Sequence, residues 1–141
     1  MNGAESWVKS LLASGVTTIF ANPGTPEMHF VAALDQHPDT RCILCLFEGG
    51  ASGAADGYFR MSGQVAATLL HLAPGFGNAF ANLHNAAKAG CWVLNIVADH
   101  ATCHQVRCGL WQCQADEGAV FDRGGMRQPI IFDENHRLTP Q

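Results

Sequence analysis

The chain has 141 residues, 48% hydrophobic and 14% charged, a balance that suits one globular domain with a single core and excludes a disordered segment. A formal charge of −4, with eight Lys and Arg and no basic cluster, offers no electrostatic footprint to nucleic acid or an anionic membrane surface and favours small or neutral partners. The start MNGAESWVKSLL lacks a basic leader, and no run approaches the roughly 18 apolar residues of a membrane span, so a cytoplasmic protein is expected.

In chain order, Asn2 and Glu5 form a candidate capping box ahead of Ala4, Trp7, Val8, Leu11 and Leu12, with Gly15 as the stop, which predicts an amphipathic helix. VTTIFAN then reads as a buried strand. Thr25 as N-cap and Pro26 at the first helical position open a second helix through EMHFVAALDQ. RCILCLF is a second strand, 48 to 61 a helix, AATLLHL a third strand, 76 to 88 a helix, and WVLNIVAD a fourth strand. Such alternation predicts an α/β fold: an open parallel sheet joined by right-handed crossovers, with helices on both faces. After about residue 102 the alternation stops, leaving a divergent tail over 103–141 that forms no separate domain, with PIIFD at 129–133 as a short edge strand.

Six cysteines without a secretion signal read as reduced thiols. Cys42 and Cys45 lie three apart on a predicted strand, an odd offset that sends their side chains to opposite faces and argues against a metal clip. His100, Cys103, His104 and Cys108 match no standard zinc spacing, so ordinary burial is the favoured reading.

Ligands of an open parallel sheet bind beyond the carboxyl ends of its strands. Here those ends carry ANPGTPE, Glu48, HLAPGFGN and ADH. Asn22, Pro23, Gly24 and Thr25 make a rigid turn at a helix start. Pro74, Gly75, Phe76, Gly77 and Asn78 form a second glycine-bearing turn that would let backbone approach a ligand. A dinucleotide-binding G-x-G-x-x-G is a weaker alternative, with Asp99 as the ribose acid, but Phe80 stands at the third glycine. In the helix opened by Glu48, the interior Gly53 and Gly57 cost about 0.8–1.0 kcal/mol each relative to Ala. With Ala51, Ala54 and Ala55 they form a small-residue surface on which a helix or a cofactor can lie close.

FANPGTPEMHFVAALD, LFEGGASGAADGYFRMSG and LLHLAPGFGNAFANLHNA together resemble successive blocks of the N-terminal pyrimidine-binding (PYR) domain of thiamine-diphosphate-dependent enzymes, over roughly residues 1–102. The branch they resemble is the acetolactate-synthase-like and benzoylformate-decarboxylase-like one. The resemblance implies that Glu48 hydrogen-bonds N1′ of the cofactor's aminopyrimidine and favours its imino tautomer, which removes the proton from thiazolium C2 so that a 2-keto acid can be attacked. It implies further that Asn22, Gly24 and Thr25 lie near the substrate end, Gly24 and Thr25 also binding the cofactor, and that Gly75 and Asn78 lie beside the pyrimidine. His71 aligns with a proton-relaying histidine; the alternative is a strand-end histidine held by a backbone carbonyl. His29 and His84 are expected to be structural or exposed.

The family's active site also needs a pyrophosphate-binding (PP) domain, whose G-D-G and N-N motifs hold magnesium and diphosphate, and neither motif occurs in this sequence. Ala73 stands where many members carry the first Gly of G-P-G. The resemblance thus implies a PYR portion, a fragment or a product with an altered C-terminus, inactive alone. It would pair with a PP domain or a second copy of itself, with thiamine diphosphate as cofactor and magnesium supplied from the PP domain. The alternative is a non-catalytic interaction module or inactive remnant that retains the helix surface.

Overall fold

The structure, a computed structural model, describes residues 2–99 and 130–132. Its first helix, α1 (Gly3–Ala13), begins with the expected reciprocal cap: the Asn2 side chain accepts from the Glu5 N–H at 2.9 Å, and the Glu5 carboxylate accepts from the Asn2 N–H at 3.3 Å. Gly15, at φ +79°, ends it. The Gly15 N–H bonds to the Leu12 carbonyl and the Val16 N–H to the Leu11 carbonyl, and Val16 is buried beneath the turn.

Strand β1 (Thr18–Asn22) follows, then a single 3-10 turn (Thr25–Glu27), α2 (Met28–Asp35), β2 (Arg41–Leu44), α3 (Glu48–Ser62), β3 (Ala66–Leu70), α4 (Leu72–Lys88), β4 (Val93–Ala98) and β5 (Ile130–Phe132). All pairings are parallel, in the order β2-β1-β3-β4-β5. This is the α/β class expected. The short strand expected at 129–133 is β5, at the outer edge beside β4.

The period of two along each strand divides the core between the faces. Ile19, Ala21, Ala67, Leu69 and Ile96 pack with Val8 and Leu11 of α1 and Phe30, Ala33 and Leu34 of α2. Phe20, Ala66, Leu70 and Val97 pack on the other face with Ala51 and Ala55 of α3 and Phe76, Ala79 and Leu83 of α4. The small-residue face of α3 is taken largely by α4. Ser52 Oγ donates to the Ala79 carbonyl at 3.2 Å, and a Cβ on Gly53 would come within 3.2 Å of Asn82 Nδ2. A Cβ on Gly57, by contrast, would meet open space.

Several boundaries differ from the sequence expectation. RCILCLF was expected as a strand through Phe47, but β2 is an edge strand that stops at Leu44, with Leu46 93% exposed, because one flank of β2 has no neighbour among the described residues. Cys45 lies just beyond it, so strand alternation governs only Cys42 of the pair. The expected turn at Pro74–Asn78 is helix instead. α4 starts at Leu72, and Pro74 fits its first turn, where the backbone N–H groups have no intrahelical partner to lose. His71 is therefore the N-cap of α4 rather than a strand residue. The expectations for His100, Cys103, His104, Cys108 and the tail over 103–129 and 133–141 lie outside the described residues.

Candidate functional site

The strand order 2-1-3 places a topological switch between β1 and β3, because the chain leaves β1 to one side and returns across it to the other. Register brings the exits level: Ala21 pairs with Leu44 and Asn22 with Leu70. The turn after β1, the N-terminus of α3 and the N-terminus of α4 thus meet at one edge of the sheet. Two clusters of polar side chains form there, both touching the first turns of α4.

The first is built on Glu48. It opens α3 and is 7% exposed, with its carboxylate at the positive end of the helix. Asn78 Nδ2 donates to Glu48 Oε2 at 3.0 Å. Opposite stands Gly75, where a Cβ would lie 2.9 Å from Glu48 Oε1 and 3.3 Å from Cγ. Only glycine lets the α4 backbone come this near the carboxylate. Asn82 Nδ2 donates to the Gly49 carbonyl at 2.6 Å, tying the start of α3 to α4 one turn further on.

The second cluster joins the turn after β1 to the turn after β3. Glu27, the last residue of the 3-10 turn, is 2% exposed, and its Oε2 accepts from the Gly24 N–H at 2.8 Å. The same oxygen lies 2.9 Å from His71 Nδ1. Gly24 backs onto the His71 ring so closely that any Cβ there would collide with Nδ1 and Cε1. Leu72, next to His71, holds φ +54°, a left-handed conformation rare for a branched residue, which costs about 1–3 kcal/mol and is kept where surrounding structure fixes it.

The structure therefore groups Glu48, Gly75 and Asn78, and separately Gly24 and His71. Asn22, partly buried, ends β1 beside them, and Thr25 is exposed at the start of the 3-10 turn. Thr25 is not the N-cap of a helix as expected. The cap at this point is Gly24, whose N–H is taken by the Glu27 side chain. His29 and His84 are exposed on α2 and α4. Gly75 and Gly77 lie inside α4 instead of looping between strand and helix, so the dinucleotide-binding alternative loses the phosphate-cradling turn it requires.

Sequence reasoning missed Glu27. It passed for an ordinary residue of the second helix. The available signal was its spacing of three from Gly24 across Pro26, which is the spacing of a side chain folding back on a cap.

Residues 1–121 match the family described as thiamine pyrophosphate enzyme, N-terminal TPP binding domain, which runs past residue 102 where the resemblance was expected to end. A Mycobacterium tuberculosis protein named "Putative acetolactate synthase large subunit IlvX" is 58% identical over 105 residues, 74% of this chain and 20% of that protein. Benzoylformate decarboxylase of Pseudomonas aeruginosa is 46% identical over 72 residues, 51% of this chain and 13% of its own length. Among solved structures, a thiamine diphosphate-dependent 4-hydroxybenzoylformate decarboxylase of Rhodococcus jostii RHA1 superposes with a TM-score of 0.76 at 28% identity, covering 86% of this chain and 23% of that one. The chain spans about a fifth of the length of the M. tuberculosis relative.

Proposed function

The chain belongs to the N-terminal TPP-binding domain family of thiamine pyrophosphate enzymes, and on that premise we propose that it binds the aminopyrimidine end of thiamine diphosphate as the PYR part of an enzyme acting on 2-keto acids. One observation carries this reading. Glu48 is a buried carboxylate at a helix N-terminus, oriented by Asn78 and approached by a backbone that only Gly75 allows. A carboxylate kept there as a helix cap would need neither the amide nor the glycine. The donor set fits a flat heterocycle bearing a ring nitrogen: Glu48 would hold or exchange a proton at that nitrogen, and the glycine would leave room for the ring. When bound, the cofactor supplies the electron sink for cleaving or forming a bond next to a keto group.

In this reading His71 and Gly24, at the neighbouring strand ends, face the 2-keto acid together with Asn22 and Thr25. Magnesium and diphosphate would be held by a PP domain outside this sequence, so the chain alone is inactive. Leu44, Leu46 and Phe47, exposed just before Glu48, support a second polypeptide closing over the site, either a PP domain or the second copy of a homodimer. No helix among the described residues is long and apolar enough to cross a membrane; a cytoplasmic location is part of the proposal.

Titrating 4-amino-5-hydroxymethyl-2-methylpyrimidine into the 15N-labelled chain tests the reading. The amides of Glu48, Gly75 and Asn78 should shift in the wild type and stay still in Glu48→Ala. Shifts elsewhere, or shifts that survive Glu48→Ala, would overturn it.

A further inference from the structure

Among the described residues two carboxylates are buried, Glu48 and Glu27, and the function proposed above gives Glu27 itself no role. Its side chain is fully buried, whereas the His71 side chain is 38% exposed. Its Oε2 serves both the Gly24 N–H and His71 Nδ1, while Oε1 is buried without a hydrogen-bond partner among the described residues. Burying a carboxylate is costly, and leaving one of its oxygens unmatched adds to that cost. A residue needed only to close a 3-10 turn could do so with a shorter side chain at the surface. The arrangement therefore serves the imidazole.

We propose that Glu27 is a positioning residue that fixes both the plane and the tautomer of His71. A carboxylate only accepts, so the nitrogen facing it, Nδ1, carries the hydrogen. Nε2 is then left to accept from, or when protonated to donate to, another molecule. Two contacts hold the ring in this orientation, Glu27 at Nδ1 and the backbone of Gly24 against its edge, and the left-handed Leu72 next to it turns the chain into α4. The ring bridges the turns after β1 and β3, so the carboxylate also links the two sides of the topological switch. That the molecule meeting Nε2 is a 2-keto acid, whose carboxylate or keto oxygen would accept from Nε2 when the ring is protonated, rests on the function proposed above; the orientation of the ring rests on the geometry alone.

The test is long-range 15N–1H correlation of the imidazole in the intact chain, at a pH where the ring is neutral. The wild type should show hydrogen on Nδ1 and a bare Nε2. Glu27→Ala should shift the proton toward Nε2. Glu27→Gln, whose amide oxygen can accept the same two hydrogen bonds, should restore Nδ1–H. A wild-type spectrum with hydrogen on Nε2 overturns the proposal whether or not either variant folds, and so does a Glu27→Ala spectrum identical to the wild type. Titrating the aminopyrimidine into the same wild-type sample separates the two readings: failure to bind, with Nδ1–H observed, removes the cofactor assignment and leaves the positioning of His71 supported.

Discussion

Gly75→Ala and Gly77→Ala lie two residues apart in α4, yet only the second should stabilise the fold. A helical glycine replaced by alanine gains about 0.8–1.0 kcal/mol from propensity, and both positions have helical backbone. At Gly77 a Cβ meets open space, so that gain should appear undiminished. At Gly75 a Cβ would sit 2.9 Å from Glu48 Oε1, 3.3 Å from Cγ and 3.4 Å from Cδ, so the carboxylate must move. The carboxylate is buried and bonded to Asn78, which leaves little room for it to swing clear. Overpacking of this kind costs about 1–3 kcal/mol, and loss of a hydrogen bond to a charged group falls in the same range. Set against the propensity gain, Gly75→Ala should be neutral to about 2 kcal/mol destabilising, which separates the two variants by about 1–3 kcal/mol. Urea unfolding followed by circular dichroism would measure both. In a Glu48→Ala background the obstacle is gone, and Gly75→Ala should then stabilise as Gly77→Ala does, a coupling that a double-mutant cycle isolates. Equal stabilisation by both glycine substitutions in the wild-type background would refute the close approach of α4 to Glu48.

Three further outcomes are expected. Asn2→Ala removes one half of the α1 capping box and should lower stability by about 1 kcal/mol, read from the unfolding midpoint. Arg60, hydrogen-bonded to Asp56 at 2.9 Å, holds the Asp56 carboxyl below its ordinary 3.8, so this pair's contribution is present above that value and is lost as pH falls through the depressed one. Asp56→Asn should therefore lower the melting temperature slightly near neutral pH, less so at high salt, and not at all in strong acid. Supplied with thiamine diphosphate, magnesium and either pyruvate or benzoylformate, the chain alone should release no carbon dioxide above a cofactor-only control.

The parts of the fold legible in the sequence were those governed by local chemistry. The α1 boundaries follow from Asn2, Glu5 and Gly15, whose side chains and backbone freedom act within one turn. β1, β3 and β4 follow from short apolar runs between helices. Non-local neighbours were not legible. Nothing in RCILCLF marks it as an edge, because that depends on which strand pairs beside it. HLAPGFGN carries turn residues, yet Pro74 and Gly75 sit inside a helix whose start is fixed by packing on β3 and by the approach to Glu48. Glu48 stood out because a lone charge between an apolar run and a small-residue helix is conspicuous. Glu27 did not, since its significance arises only when β3 brings His71 against it.

The central claim is that Glu48 handles a proton on the cofactor's aminopyrimidine. Its most direct test places residues 1–102 in a full-length relative that supplies the PP domain, then measures hydrogen–deuterium exchange at C2 of bound thiamine diphosphate. Glu48→Gln preserves size and one acceptor oxygen but cannot exchange the proton, so exchange should slow by at least about 10²-fold, the usual scale of lost general acid–base help, while cofactor affinity changes much less. Unchanged exchange with weakened affinity would contradict the claim and leave Glu48 as a capping and positioning residue at the start of α3.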